Sequence, residues 1–549
     1  LILPADAPIG AGVGEYLELE EAVFDLSITP NRGDCMNVRG IARDLAADAD
    51  LPLSNIELAD VQVDDAVGSV AVEVFAEHDC PAYLTRAIHG VRVGDSPAWM
   101  QARLIQAGQR PVNGIVDVLN SIMLDLGQPM HAFDADKLDG DIAIRSAAGG
   151  EDFSALDGRE LSLNAGDLLV TDSENVIALA GIMGSEPSGV SETTSNIVLE
   201  SAFFRPARVS ETRRAYAMVS EASMRFERGV DPAMVEIAMQ RATAMIIDLF
   251  GGSAGEIGVC GNAGFINKDS VNAGRTVNCS VARIASRLGI DIPESVDDVL
   301  ARMGFGVSRD GDKLDVSLPS FRHDVSIPED ISEECARIIG FDAIPELLPS
   351  LAATAPAKQD SSIHDAVAGG FLQVVTYAFI SASEQRLFSA DDDADIQLEN
   401  PISDAMSVMR RSVWPGLLNT ARYNLNRQQS GVALAEQGRT YVRNENGHDE
   451  NNVIAWLMTG AVGQDEWYGS ARQADFFDLK GAVEAWLSLR GLTGRFISDD
   501  SVQGLQPGQS AKILVGRTEA GRIGRVDGDI AASFDMDAPV FVAESISTC

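Results

Sequence analysis

Lysine is nearly absent from this chain: six occur in 549 residues, and arginine makes up the rest of the 42 basic positions. Against 82 acidic residues the formal net charge is −40. Nucleic-acid phosphates are held by clustered lysine and arginine, so the chain alone is expected to bind nucleic acid poorly. Cysteine is scarce too. Its six copies (35, 80, 260, 279, 335 and 549) are scattered with no CxxC pair. That spacing argues against a disulfide framework or a thiolate zinc site, and for a reducing cytoplasm. No uncharged apolar run approaches the ~18 residues of a membrane span, so no membrane association is expected. The first residues lack the charged stretch and following apolar stretch of a secretory signal. Phosphate-cradling GxxxxGK(S/T) and zinc-binding HExxH are both missing. Gly521-Arg522-Ile523-Gly524-Arg525 is only a two-glycine fragment inside a predicted hairpin.

What is present is a core-forming composition, 45% apolar and 23% charged, long enough for three or four domains. The pattern is that of an α+β multidomain chain in four blocks. In residues 1–80, positions 23–28 alternate like a strand, 29–34 read as a turn and 38–47 as a helix. Block 81–255 opens with a strand near 84–93. A helix follows, with Ser96 as its cap, Pro97 at its first position and Gly108 as its stop. Short strands are expected at 142–145, 161–163, 168–171, 176–180 and 197–199. A long helix capped by Asp231 carries Val235, Ala238, Met239, Ala242, Ile246 and Leu249 at helical spacing and stops at Gly251-Gly252. Residues 268–346 hold helices at 281–288 and 294–303, then a hairpin turning at 309–312, a small winged-helix-like module. Block 347–549 mixes helices with strands such as 374–380, 453–459 and 540–543, and its Asp391-Asp392-Asp393 run reads as a solvated loop.

Two constellations carry chemistry. The first is Pro319-Ser320-Phe321-Arg322-His323-Asp324, followed by a helix opening at Pro328. Asp330, Glu333 and Glu334 fall at i, i+3 and i+4 and so share one helical face, towards which Asp324 can turn. Four converging carboxylates repel one another unless a cation compensates, and hard oxygen ligands suit Mg²⁺ or Ca²⁺. The competing reading has Asp330 and Glu333 complementing the positive helix N-terminus, with Arg322 and Arg337 as counter-charges. The second constellation gathers Arg110, His131, Gly181, Gly184, Glu200, Ser220 and Ala222. Together such residues can line a pocket for a polar ligand. Taken singly, His131 reads more readily as a core histidine and the glycines as turns.

Longer runs resemble one family, the β subunit of bacterial-type phenylalanyl-tRNA synthetase. They are DLSITPNR at 25–32, VRGIAR at 38–43, VDVLN at 116–120, GQPMHAFD at 127–134, ESAFFRP at 200–206, RFERGVDP at 225–232 and the carboxylate stretch at 319–345. NPIS at 400–403, SVMR at 407–410, PGLL at 415–418, DFFDLKG at 475–481 and PGQSA at 507–511 continue the series. These runs keep the family's order across nearly the whole chain.

The resemblance implies a class II aminoacyl-tRNA synthetase, an (αβ)₂ heterotetramer that uses ATP to charge tRNA(Phe), with the aminoacylation site on the α subunit. It assigns 1–80 to an N-terminal α/β domain, 81–255 to an editing domain and 268–346 to a B5-like module. Block 347–549 resembles a class II antiparallel-sheet domain that is catalytically silent and serves docking. An editing domain answers a physical limit: a pocket shaped for phenylalanine rejects tyrosine, one hydroxyl larger, by only about 10²-fold. By resemblance Glu200 accepts the tyrosine hydroxyl's hydrogen bond, Gly184 and Ala222 leave room for the ring, and His131, Arg110 and Ser220 line the ester end. Asp324, Asp330, Glu333 and Glu334 would hold a structural Mg²⁺ at the junction with α.

This chain also departs from the family. Against the family's pattern, residues 1–17 are expected to be the end of an OB-fold domain that this sequence does not include, and the family's C-terminal anticodon-binding domain is likewise not expected within it. Ser220 stands where most members have threonine, and one extra residue is needed near 215–219. Two other readings stand beside this one: a scaffold that docks α without editing, and a stand-alone deacylase of mischarged tRNA. The last leaves the third and fourth blocks without a purpose.

Overall fold

From Ala82 to Ile88 every residue is buried, and from Ile197 to Phe203 likewise. Such uninterrupted burial means a strand covered on both faces. These two strands form the centre of the first of two compact units, Leu1–Pro349 and Ser350–Cys549. The structure is a computed structural model and describes residues 7–12, 16, 22–262, 265, 275–348, 362–389, 392–445, 447–463, 467 and 469–546. Most of the 1–17 reading, and Asp391 of the acidic run, fall outside them.

The strands of the first unit are β1 (Val72–Val74), β2 (Ala82–His89), β3 (Met130–Asp134), β4 (Ile142–Ser146), β5 (Asp152–Ser154), β6 (Glu160–Ser162) and β7 (Leu168–Thr171). After them come β8 (Val176–Leu179), β9 (Met183–Gly184), β10 (Asn196–Phe203), β11 (Ser253–Gly261), β12 (Thr276–Ser280), β13 (Gly306–Asp310) and β14 (Lys313–Ser317). One antiparallel sheet runs β11-β2-β10-β3, and a mixed sheet, with β1 parallel to β4, runs β1-β4-β7-β8-β9. Helix Met234–Phe250 packs against β10, where the Ser201 hydroxyl donates to the Val235 carbonyl at 2.8 Å. Its Val235, Ala238, Met239, Ala242 and Ile246 are buried, as their spacing requires. Residues 200 and 202 of β10 therefore face the opposite side, towards the second sheet's β9.

A smaller layer follows. Strands β12-β14-β13 form an antiparallel sheet, with Leu314, Val316 and Leu318 in a core shared with helices Val281–Leu288, Val296–Arg302 and Pro328–Ile339. Ala47 of helix Val38–Asp48 belongs to this core, so the N-terminal helix packs on the module nearly 300 residues later in sequence.

In the second unit, alternation along Gly447–Val462 feeds two separate cores. Val453, Ala455 and Leu457 pack with Trp414, Leu417 and Leu418 of helix Trp414–Leu425. Ile454 and Trp456 pack with Leu479, Val483 and Trp486 of helix Phe476–Leu489. A period of two with both sets apolar makes a largely antiparallel sheet covered by a helix on each face.

Four local expectations differ from the structure. Helix Met234–Phe250 has Ala233, not Asp231, at its N-cap, and the Asp231 carboxylate accepts instead from the Ala233 N–H at 3.0 Å. Residues 23–28 form no strand, and Val23, Phe24 and Leu26 are exposed. Residues 374–378 belong to no strand, although the Val374 N–H donates to the Ala435 carbonyl and the Ala378 carbonyl accepts from the Arg410 N–H, each at 2.9 Å. Ser96 does not cap helix Ala98–Gln106; its hydroxyl donates instead to the Asp117 carboxylate at 2.5 Å.

Candidate functional site

The Glu200 face of the first sheet looks into a cavity of about 260 Å³. Helix Gly114–Leu126 contributes Leu119, Asn120 and Met123, β3 contributes Met130 and His131, and the 181–184 turn contributes Ile182 and Gly184. Ser220, Ala222 and Phe226 close it from the start of helix Glu221–Arg228. Five of the six expected pocket residues thus meet: His131, Gly184, Glu200, Ser220 and Ala222. Arg110 is exposed and does not line the cavity.

Strand register explains the meeting. Glu200 pairs with His131 of β3 on one side and Thr85 of β2 on the other, and directly paired residues share a face. The turn before β3 is fixed by Gly127 at φ 79°, which ends the preceding helix in the left-handed region. The Gln128 amide then donates to the Ala202 carbonyl at 2.9 Å, pinning β3 beside β10. Gly184 has no alternative: a Cβ there would lie 2.6 Å from His131 Cε1 and Nε2. His131 Nε2 is buried without a partner, and burial pushes its pKa down to about 4, so the imidazole is neutral.

Glu200 is 8% exposed. Its Oε2 accepts from the Tyr83 hydroxyl at 2.6 Å, and no other described residue donates to it. Burial pushes the carboxyl up to about 7, an effect the phenol's hydrogen bond partly offsets.

Ser220 is the N-cap of helix Glu221–Arg228, with its hydroxyl accepting from the Ser223 N–H at 3.0 Å. The same hydroxyl donates to the Ile182 carbonyl at 2.8 Å, tying the helix start to the 181–184 turn. The irregular segment just before it is absorbed by Ala217, whose φ of 49° is left-handed. Tyr216 anchors that segment by donating to Asp167 at 2.5 Å.

The carboxylate stretch is arranged differently. Arg322, 2% exposed, donates to both Asp324 oxygens at 2.9 and 2.8 Å and to Glu334 at 2.6 Å. Arg337 donates to the other Glu334 oxygen at 2.8 Å. Burial would raise the Glu334 pKa, but the two guanidiniums hold it at about 2. Asp330 accepts from the Ser326 and Ile327 N–H groups at 2.7 and 2.9 Å, capping the helix, and Glu333 is exposed.

The convergence expected from helical spacing is not formed. Among the described residues, the one group bringing three metal-type ligand atoms within 4.8 Å of one another is Asp34, Cys35 and Asp44. Arg322 stands where a cation's charge would, so Asp324, Asp330, Glu333 and Glu334 as placed do not fit a bound metal. The Asp34 group is likewise filled by the Arg32 guanidinium, 2.9 to 3.0 Å from all three. Arg337 joins the two clusters by donating to Asp44 at 3.0 Å.

Sequence reasoning missed Tyr83 and the Arg32 cluster. Tyr83 sits in an otherwise apolar strand, 117 residues from Glu200, and only the strand register reveals the contact.

Family models match three stretches: the B3/4 domain over residues 79–251, the tRNA synthetase B5 domain over 277–341 and the phenylalanyl tRNA synthetase beta chain CLM domain over 344–545. The chain is 39% identical to the phenylalanine–tRNA ligase beta subunit of Methylococcus capsulatus, over 99% of this chain and 69% of that one. It is 37% identical, at the same coverage of each, to that of Pseudoalteromonas translucida. A solved N-terminal fragment of the Pyrococcus horikoshii phenylalanyl-tRNA synthetase beta subunit has 18% identity and a TM-score of 0.29, covering 57% of this chain and 85% of that one. That likeness is too low to bear on the fold. On the sequence identities and the matched domains, the chain belongs to the phenylalanine–tRNA ligase β-subunit family.

Proposed function

We propose that this chain is the β subunit of a phenylalanine–tRNA ligase and that its cavity at Glu200 hydrolyses Tyr-tRNA(Phe). One observation carries the editing reading: a buried carboxylate with one oxygen engaged and the other without a donor, set in a wall that is otherwise mostly apolar. The para-hydroxyl of a tyrosyl ester can donate to that open oxygen. A phenylalanyl ester has nothing to donate and leaves the acceptor unmet, a penalty as well as a lost gain. Hydrolysis adds water to the ester carbonyl and breaks the bond to the ribose oxygen. The neutral His131 imidazole, with its unpartnered Nε2 in the cavity wall, suits the ester end, while Gly184 and Ala222 leave space.

The B3/4 match covers the same segment as the cavity, which supports assigning 81–255 to editing. We assign 268–346 to the B5-like module and 347–549 to a class II-like domain that docks the α subunit in an (αβ)₂ assembly. In this reading the complex uses ATP and Mg²⁺, with ATP bound mainly by α, and tRNA(Phe) contacts are shared with α. No helix among the described residues is long and apolar enough to cross a membrane.

The test is hydrolysis of Tyr-tRNA(Phe) and Phe-tRNA(Phe) by the αβ ligase. Glu200→Ala should slow the tyrosyl ester by about 10- to 100-fold, the worth of a hydrogen bond to a charged group, and leave the phenylalanyl ester unchanged. Equal selectivity in the variant would remove Glu200 from the reading.

A further inference from the structure

A carboxylate buried against apolar walls sheds its charge unless something donates to it. Around Glu200 the potential donors can be named element by element. On β3, His131 pairs with it in register but is neutral and makes no hydrogen bond to it. On helix Glu221–Arg228, Glu221 lines the same cavity with its carboxylate held by Arg225 at 2.6 Å. Before β2, the Cys80 thiol is buried and protonated, raised by burial first and by the Glu200 charge second. On β2 the Thr85 hydroxyl, paired with Glu200 in register, makes no hydrogen bond, and on helix Gly114–Leu126 Asn120 lines the cavity without donating to the carboxylate. The donor is Tyr83 on β2, fully buried and outside the cavity lining, with its hydroxyl 2.6 Å from Oε2. Among the described residues no lysine or arginine is bonded to the carboxylate.

We propose that Tyr83 is a positioning residue for tyrosine discrimination: from behind the cavity wall its phenol holds Oε2, so that Glu200 stays an acceptor and presents Oε1 alone to the para-hydroxyl of the substrate. This rests on the editing reading above and deepens it. The carboxylate then lies between two phenols, one supplied by the fold and one by the mischarged amino acid. The inner phenol is kept in place by its ring contact with Phe204, 6.5 Å between centroids, and Phe204 meets the cavity residue Phe226 at 5.1 Å. Tyr83 never touches the substrate; it acts through the state of Glu200.

The test uses the αβ ligase and the ratio of tyrosyl to phenylalanyl ester hydrolysis between pH 5.5 and 8.5, which cancels the alkaline lability common to both esters. The wild-type ratio should rise with a midpoint near 7, where Glu200 ionises. In Tyr83→Phe the donor is gone, so the midpoint should move alkaline by about one pH unit, lowering the ratio about fivefold at pH 7. The phenylalanyl rate should hold, and the ratio should recover by pH 8.5. A Tyr83→Phe enzyme with the wild-type ratio and midpoint would overturn the proposal.

Glu200→Ala, which removes the acceptor outright, separates recognition from positioning. If it keeps wild-type discrimination, the recognition role of Glu200 itself fails. If it loses discrimination at every pH while Tyr83→Phe is silent, only the role of Tyr83 fails. Should Tyr83→Phe not fold, 3-fluorotyrosine at position 83 keeps the shape with a more acidic phenol. That stronger donor should move the midpoint to lower pH, and an unmoved midpoint would again overturn the proposal.

Discussion

Glu200 and Glu334 are both buried glutamates of the first unit, and their surroundings leave them in opposite states. Glu334 is gripped by two guanidiniums, Arg322 at 2.6 Å and Arg337 at 2.8 Å, and its pKa falls to about 2. Glu200 has a single neutral phenol and its pKa rises to about 7. A carboxylate surrounded by fixed cations has its acceptor sites filled before any ligand arrives. One held from behind by a neutral donor keeps a site open, and the fold bears the cost of burying it. Both readings of the 319–337 stretch began from the same residues. The one built on counter-charge matches the distances.

The comparison breaks most visibly at Arg322. Arg322→Ala leaves the buried Glu334 and the half-buried Asp324 without their shared cation and should cost about 3–5 kcal/mol, read as a lowered urea midpoint. A loss under 1 kcal/mol would mean that the pairs are weakly held. The pH dependence of stability should separate the two glutamates next. Glu334, with its folded pKa below the unfolded value of about 4.5, contributes stability above pH 4.5 that is lost as the pH falls towards 2. Glu200, with its folded pKa above that value, is fully favourable only below pH 4.5, and its contribution is lost as the pH rises through 7. Glu200→Gln should therefore match wild type at pH 5 and exceed it at pH 8 by roughly 1–3 kcal/mol; calorimetry at the two pH values decides. The smallest effect is expected at the rim. Ser220→Ala removes the cap of helix Glu221–Arg228 and its tie to Ile182, and should lower stability by about 1 kcal/mol.

Much of the fold was legible because burial leaves a period in the sequence. The Met234–Phe250 stripe and the two-core alternation of 453–457 are readable residue by residue. Positions 23–28 carry the same alternation and form no strand, because alternation encodes faces while a strand also needs a neighbouring backbone to pair with. Stretch 374–378 is interrupted instead: it meets neighbouring backbone at Val374 and Ala378, its two ends. Five pocket residues came from resemblance to a family, and the register of β3, β10 and β2 accounts for their meeting. Arg110 precedes its helix and stays outside. Tyr83 left no mark, since a diagonal contact between strands 117 residues apart is fixed only when both strands are in place. Nor did spacing distinguish a cation site from an arginine-filled one; that depends on where the Arg322 side chain goes.

The Arg337–Asp44 contact joins residues 293 positions apart, which has a consequence for synthesis. At about 5–20 residues per second, the segment around Asp44 leaves the ribosome roughly 15–60 s before Arg337 exists. Throughout that interval helix Val38–Asp48 lacks the module it packs against, and its Ala47 has no core to enter. Helix Val38–Asp48 is therefore made well before it can be locked, and it must stay soluble while it waits. With Asp44, Asp48 and Asp50 at its end, the segment carries the charge to do so.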